Sequence, residues 1–147
     1  MKVFSQFPLP HSRGSSHGQS RGIRRAYPDP FFSELMIDAY KEWHSIEEMQ
    51  GVKLIRYVFI GWFLLGSELI GSRETGLLCF SDEEGNPFLN SIINSFEKTP
   101  GSDYFLYQGK DFHDKFPYLN FGEGVRACFD PSGGVVMADK ALRAVQV

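Results

Sequence analysis

The chain has 147 residues, 42% of them hydrophobic and 15% aromatic, enough to bury one sizeable core, so a single domain is expected. A formal net charge of -3 and a pI near 5.8 exclude a surface built throughout to hold nucleic acid or anionic lipid. Cys79 and Cys128 are the only thiols and lack the paired spacing of a zinc set or of a redox Cys-x-x-Cys, so both read as free in a reducing compartment and no metal site is expected.

Met1 to Phe7 holds one lysine and a few apolar residues, far short of the apolar core of a secretory signal, so export is not expected. His11 to Arg25 is rich in Ser, Gly, His and Arg and has no apolar periodicity. Taken alone it reads as a solvated loop. Within it, however, Gly14 and Gly18 bracket small hydroxylated residues, which lets backbone amides approach an anion closely. If a helical turn begins at Ser20, then Arg21 and Arg24 project from adjacent faces into one site. A guanidinium fork matches a carboxylate bidentately. The histidines His11, His17, His44 and His113 read individually as surface or hydrogen-bonded residues.

Asp29 can cap a helix and Pro30 can take its first position, after which Phe32, Leu35, Met36, Ala39, Tyr40, Trp43, Ile46 and Met49 recur at helical spacing. An amphipathic helix ending near Gly51 is predicted, with Tyr40 and Trp43 in the core. The apolar run from Tyr57 to Leu65 falls well short of the ~20 residues needed to cross a membrane. Gly76 to Phe80 is a predicted strand, and loop signals follow at Glu83 to Pro87 and Thr99 to Asp103. Pro131-Ser132-Gly133-Gly134 is a predicted turn, leading into a helix from about Ala138 to Val145.

The phrase Gln6-Phe7-Pro8-Leu9-Pro10-His11-Ser12-Arg13-Gly14-Ser15-Ser16-His17-Gly18-Gln19-Ser20-Arg21-Gly22-Ile23-Arg24 closely resembles the flavin-proximal segment of the sarcosine oxidase family, FAD-dependent N-methyl amino acid oxidases with peroxisomal members. The likeness continues through Arg25-Ala26-Tyr27, the helix to Gly51 and on to Arg56, then resumes at Glu74 to Leu78, at Phe112 to Leu119 around Lys115-Phe116-Pro117, and at Asp130 to Gln146.

The resemblance implies an α/β fold, part of an FAD-binding Rossmann-like domain of the glutathione reductase type together with part of the substrate domain, in one partial unit over residues 1–147. It implies that Arg24 holds the substrate carboxylate, while Ser15, Ser16, His17, Ser20 and Arg21 pack around the flavin of FAD. Arg21 and His17 would serve catalysis, a cation beside the isoalloxazine stabilising the negative charge that develops on reduction. The implied reaction is oxidative demethylation of sarcosine or a similar secondary amino acid, with molecular oxygen as second substrate and no nucleic-acid or membrane partner.

The sequence also departs from the family. It has no G-x-G-x-x-G turn for the pyrophosphate, and Met1 to Phe4 can stand only for the strand after it, with Ser5 where the family has a ribose-binding acid. It stops at Val147, before the region of the family's covalent flavin cysteine and oxygen-activating lysine. A fragment truncated at both ends and inactive alone is therefore expected. Gly22-Ile23 replaces two apolar residues between the arginines, loosening the backbone that aims Arg24. Residues 57–72 have no counterpart and split an Arg-x-Thr-Gly-Leu-Leu run, as an insertion such as a translated intron would. The terminus lacks an S-K-L address, so a cytoplasmic product is expected. Two other readings stay open: a non-catalytic interaction fragment, and a nucleic-acid binder working through the basic His11 to Arg25 loop, which the acidic remainder disfavours.

Overall fold

The computed structural model describes residues 18–56 and 76–146; the run 57–72, read from the sequence as an insertion, and the residues Ser15, Ser16 and His17 lie outside the described residues. Helix α1, Pro30–Gln50, forms as its end signals predict. The Asp29 carboxylate accepts the amide of Phe31, Pro30 sits in the first turn, and Gly51 closes the helix in the left-handed region at φ 62°. Its apolar stripe, Met36, Tyr40, Trp43 and Ile46, packs on Ile23, Leu54, Ile55, Val136 and Ala141. Near its end the buried Glu47 turns back, and Oε1 accepts the amides of Leu54 at 2.6 Å and Ile55 at 2.9 Å. A carboxylate thereby ties the helix end to the strand that follows.

That strand, β2 at Ile55–Arg56, lies in a three-stranded sheet with β1, Arg21–Ile23, and β6, Gly134–Val136, in the order β1-β6-β2. Helix α4, Ala138–Ala144, follows β6 directly and stops one residue short of its predicted end. The second sheet runs β3-β5-β4, from Leu77–Ser81, Arg126–Asp130 and Phe105–Gln108. One face is covered by α2, Pro87–Lys98, which Asn86 caps through the amide of Leu89 and which buries Leu89, Ile92 and Phe96 against Cys128. The other face carries α3, Gly109–Lys115, whose Phe112 is wholly buried with Val125 and Ala127 beneath Phe116 and Phe121.

Every strand pairing among the described residues is antiparallel. The mix of helix and strand is as expected, but no parallel crossover unit of the Rossmann kind occurs among the described residues. The helical turn from Ser20 that would bring Arg21 and Arg24 together does not form. Residues Arg21 to Ile23 are extended and pair with Val136, Val135 and Gly134, because that pairing buries Ile23 in the first core and satisfies backbone groups that a Gly-containing helical turn would hold poorly.

The central strands of the two sheets, β5 and β6, are consecutive in the chain and joined only by Pro131, Ser132 and Gly133. The joint is tight. A Cβ on Gly133 would stand 2.5 Å from the Leu77 nitrogen, and one on Gly76 would run into the Asp130 carbonyl and the Phe129 ring. Both positions need glycine because two backbones meet there.

Candidate functional site

The site is built at this joint. Asp130, the last residue of β5, has no exposed surface, and its carboxylate is filled from two directions. Oδ2 accepts the amides of Arg25 at 2.7 Å and Ala26 at 3.0 Å, and Oδ1 accepts the amide of Ser132 at 2.9 Å along with that residue's hydroxyl. A carboxylate at the start of the turn therefore fixes both the turn and the loop that leaves β1. Tyr40 adds a second tie from α1, its hydroxyl donating to the Ser132 carbonyl. Arg25 lies with its guanidinium 5.4 Å from the Tyr40 ring centroid and donates to the Gly101 carbonyl at 3.2 Å.

Arg24 sits immediately before these anchored amides and is exposed, its guanidinium 4.8 Å from the centroid of the Tyr27 ring. The ring steadies a long cationic side chain without consuming its donors. The Arg24 charge also reaches Cys79 on β3. Burial pushes the Cys79 thiol above its ordinary pKa and the Asp130 charge pushes the same way, while Arg24 opposes both.

Arg21 is arranged differently. Its guanidinium donates to the Ser20 carbonyl at 2.7 Å and folds over Gly18, where a Cβ would stand 3.0 Å from it. Gly18 has φ 124°, a conformation that favours glycine. The Gln19 carbonyl accepts the amide of Ala138 at 3.2 Å, pinning this loop to the start of α4.

Ser20, Arg21 and Arg24 thus lie on one exposed strip of chain, but the two arginines do not converge as a helical turn would make them. In extended chain, side chains three residues apart leave from opposite sides. Sequence reasoning assigned no role to Asp130, Arg25 or Tyr27. The only signal for Asp130 was its place ahead of a Pro-Ser-Gly turn, where aspartate commonly bonds the backbone two residues on. That accounts for its bond to Ser132 and not for its bonds to Arg25 and Ala26.

No protein-family model matches the chain. Over 144 residues, 98% of its length, it is 38% identical to the peroxisomal sarcosine oxidase of Mus musculus and covers 32% of that protein. The peroxisomal sarcosine oxidase of Homo sapiens is 35% identical over 144 residues, with the same 98% and 32% coverage. The chain is a sarcosine oxidase homologue. This homologue spans about a third of the length of those relatives. Its fold also matches that of NikD, an amino acid oxidase essential for nikkomycin biosynthesis, with a TM-score of 0.60 over 90% of this chain and 30% of that one, at 17% identity. No helix among the described residues of the homologue is long and apolar enough to cross a membrane.

Proposed function

We propose that this chain forms the substrate-carboxylate side of a flavin-dependent amine oxidase acting on sarcosine or a similar small secondary amino acid. One observation carries the reading: Arg24 is an exposed cation on a loop whose next two amides are bonded to a wholly buried carboxylate. A bidentate donor held by a rigid backbone loses little conformational freedom when it meets a carboxylate. In this reading Arg24 orients the amino acid, and Asp130 and Tyr27 position Arg24.

The described residues suit the ring end of FAD, because Gly18 to Arg21 offers a close backbone approach beside a cation, in keeping with a ring that becomes anionic on reduction. FAD, when bound, would take the hydride equivalent from the N-methyl carbon and pass its electrons to molecular oxygen. Ser20 and Arg21 would lie along the ring with Ser15, Ser16 and His17. The two sheets would be parts of the Rossmann-like FAD domain and of the substrate domain, in a single partial unit interrupted at 57–72. With about a third of its relatives' length, the chain would lack turnover by itself.

The test places residues 6–56 of this chain in a complete family member in place of the matching segment. Arg24→Lys keeps the charge but loses the planar fork, so substrate binding should weaken by ~1.5–3 kcal/mol, roughly 10- to 150-fold. Arg21→Lys should instead alter the flavin spectrum or reduction rate, with a smaller effect on KM. An Arg24→Lys enzyme with unchanged KM and kcat/KM would remove Arg24 from the substrate site.

A further inference from the structure

Cys79 and Cys128 occupy directly opposed positions on the antiparallel strands β3 and β5. Opposed residues on such strands project to the same face of the sheet, with Cα atoms about 4.5–5.5 Å apart. That interval falls within the ~4.4–6.8 Å across which a disulfide spans two Cα atoms. Both side chains face the same cluster, Ala26, Leu89, Ile92 and Phe96, and both are free thiols. We propose that Cys79 and Cys128 form a peroxide-oxidisable pair that closes into a disulfide across β3 and β5.

The two thiols differ in a way that sets the order of events. Cys79 is only partly covered, so peroxide reaches this sulfur first; burial raises its pKa, and the Arg24 cation opposes that shift. Cys128 is buried, and its pKa is pushed up to about 12 by that burial and by the negative charges of Cys79 and Asp130. The shared influence between the sulfurs is itself a mark of their closeness.

In the first step the Cys79 thiolate attacks hydrogen peroxide. A sulfur–oxygen bond forms, the oxygen–oxygen bond breaks, hydroxide leaves and becomes water with the proton that Cys79 released, and the sulfur loses two electrons to become a sulfenic acid. In the second step the Cys128 sulfur attacks that of Cys79. The disulfide forms, the sulfur–oxygen bond breaks, and the hydroxyl departs as water with the proton of Cys128. Once Cys79 is a neutral sulfenic acid it no longer disfavours ionisation of Cys128, so the first step eases the second. In sum two thiols and one peroxide give one disulfide and two waters. The pair does not rest on the flavin reading, because the oxidant is supplied from solution.

The experiment exposes the purified 147-residue chain to hydrogen peroxide, blocks remaining thiols, and maps peptides by mass spectrometry without reduction. A Cys79–Cys128 linked peptide lighter by two hydrogens, restored by dithiothreitol and formed much more slowly in concentrated urea, is the expected result. In Cys128→Ser, Cys79 should halt at a sulfenic acid that dimedone traps; in Cys79→Ser, Cys128 should remain an alkylatable thiol. Cross-linking that is absent, chiefly between molecules, or as fast in urea as in buffer would overturn the proposal. The mapping of the unsubstituted chain decides the matter even if neither variant folds.

Discussion

The two sheets of this molecule are held by different chemistry. The second, β3-β5-β4, has strands of four or five residues and lies between α2 and a set of rings in which Phe112 packs on Phe116 and Phe121 at centroid distances of 5.3 and 6.0 Å. The first, β1-β6-β2, has strands of two or three residues, too short for its ladder to fix it in place. Buried carboxylates do part of that work: Glu47 gathers the amides entering β2, and Asp130 gathers those leaving β1. The arginines of the candidate site belong to the polar half. Apolar packing suffices where strands are long, whereas a loop that must present cations to solvent is better fixed by hydrogen bonds from beneath.

Removing Asp130 should break this arrangement most severely. Asp130→Ala leaves the amides of Arg25, Ala26 and Ser132 without their acceptor, at a cost of about 2–4 kcal/mol, since each buried donor left unpaired costs ~1–3 kcal/mol and neighbouring losses do not add fully. Urea unfolding would measure it. Amide hydrogen exchange would show its location: Arg25 and Ala26 should lose protection, while Ala127 and Cys128 in the aromatic half should keep theirs. Equal loss in both halves would mean that the sheets stand or fall together.

Acid sharpens the same contrast. Burial acts to raise the Glu47 pKa, but the bonds from Ile55, Leu54 and His44 and the charge of Lys53 outweigh it and hold the carboxyl below its ordinary value of 4.5. A depressed pKa means that the native state prefers the ionised form more than the unfolded chain does. Its stabilisation is therefore complete above the ordinary carboxyl range and is lost as pH falls through the folded value. Glu47→Gln should cost about 1–2 kcal/mol at neutral pH, in line with losing hydrogen bonds to a charged group, and should flatten the decline of stability below pH 4.5. Denaturation midpoints collected across that range would reveal a parallel decline if other carboxylates dominate.

The smallest effect is expected at Gly22, where nothing lies within 4 Å of an added Cβ and no left-handed conformation is required. Gly22→Ile should stabilise the chain by up to ~1 kcal/mol, because it restrains the unfolded backbone and suits a strand. A thermal melt suffices as a check, and a lowered Tm would show that β1 needs the small residue.

Much of this architecture was legible wherever a signal lay within one segment. Helix α1 announces itself through Asp29, Pro30, a periodic apolar face and Gly51, and β3 and α4 were placed to within a residue or two. Helix α2 carried comparable marks, Asn86 before Pro87 and then Leu89, Ile92 and Phe96, yet the loop signals at Glu83 to Pro87 masked its start. Strand β1 could not be read this way. Three residues carry no periodicity, and their conformation is set by β6 more than a hundred positions later. The roles proposed for Ser20, Arg21 and Arg24 rest on family resemblance, and the support beneath Arg24 was invisible because Asp130 meets Arg25 and Ala26 only after both sheets have formed.

The sheet order β1-β6-β2 also carries a consequence for synthesis. Neither β1 nor β2 pairs with the other, and each waits for β6. On the ribosome, α1 can wind as soon as it emerges, but the strand bearing Arg21 has no partner until Val136, more than a hundred residues later, has left the exit tunnel. Asp130, which clasps the arginine loop, emerges only shortly before. The arginine-bearing segment is thus locked long after it is made, and until then it is in reach of chaperones.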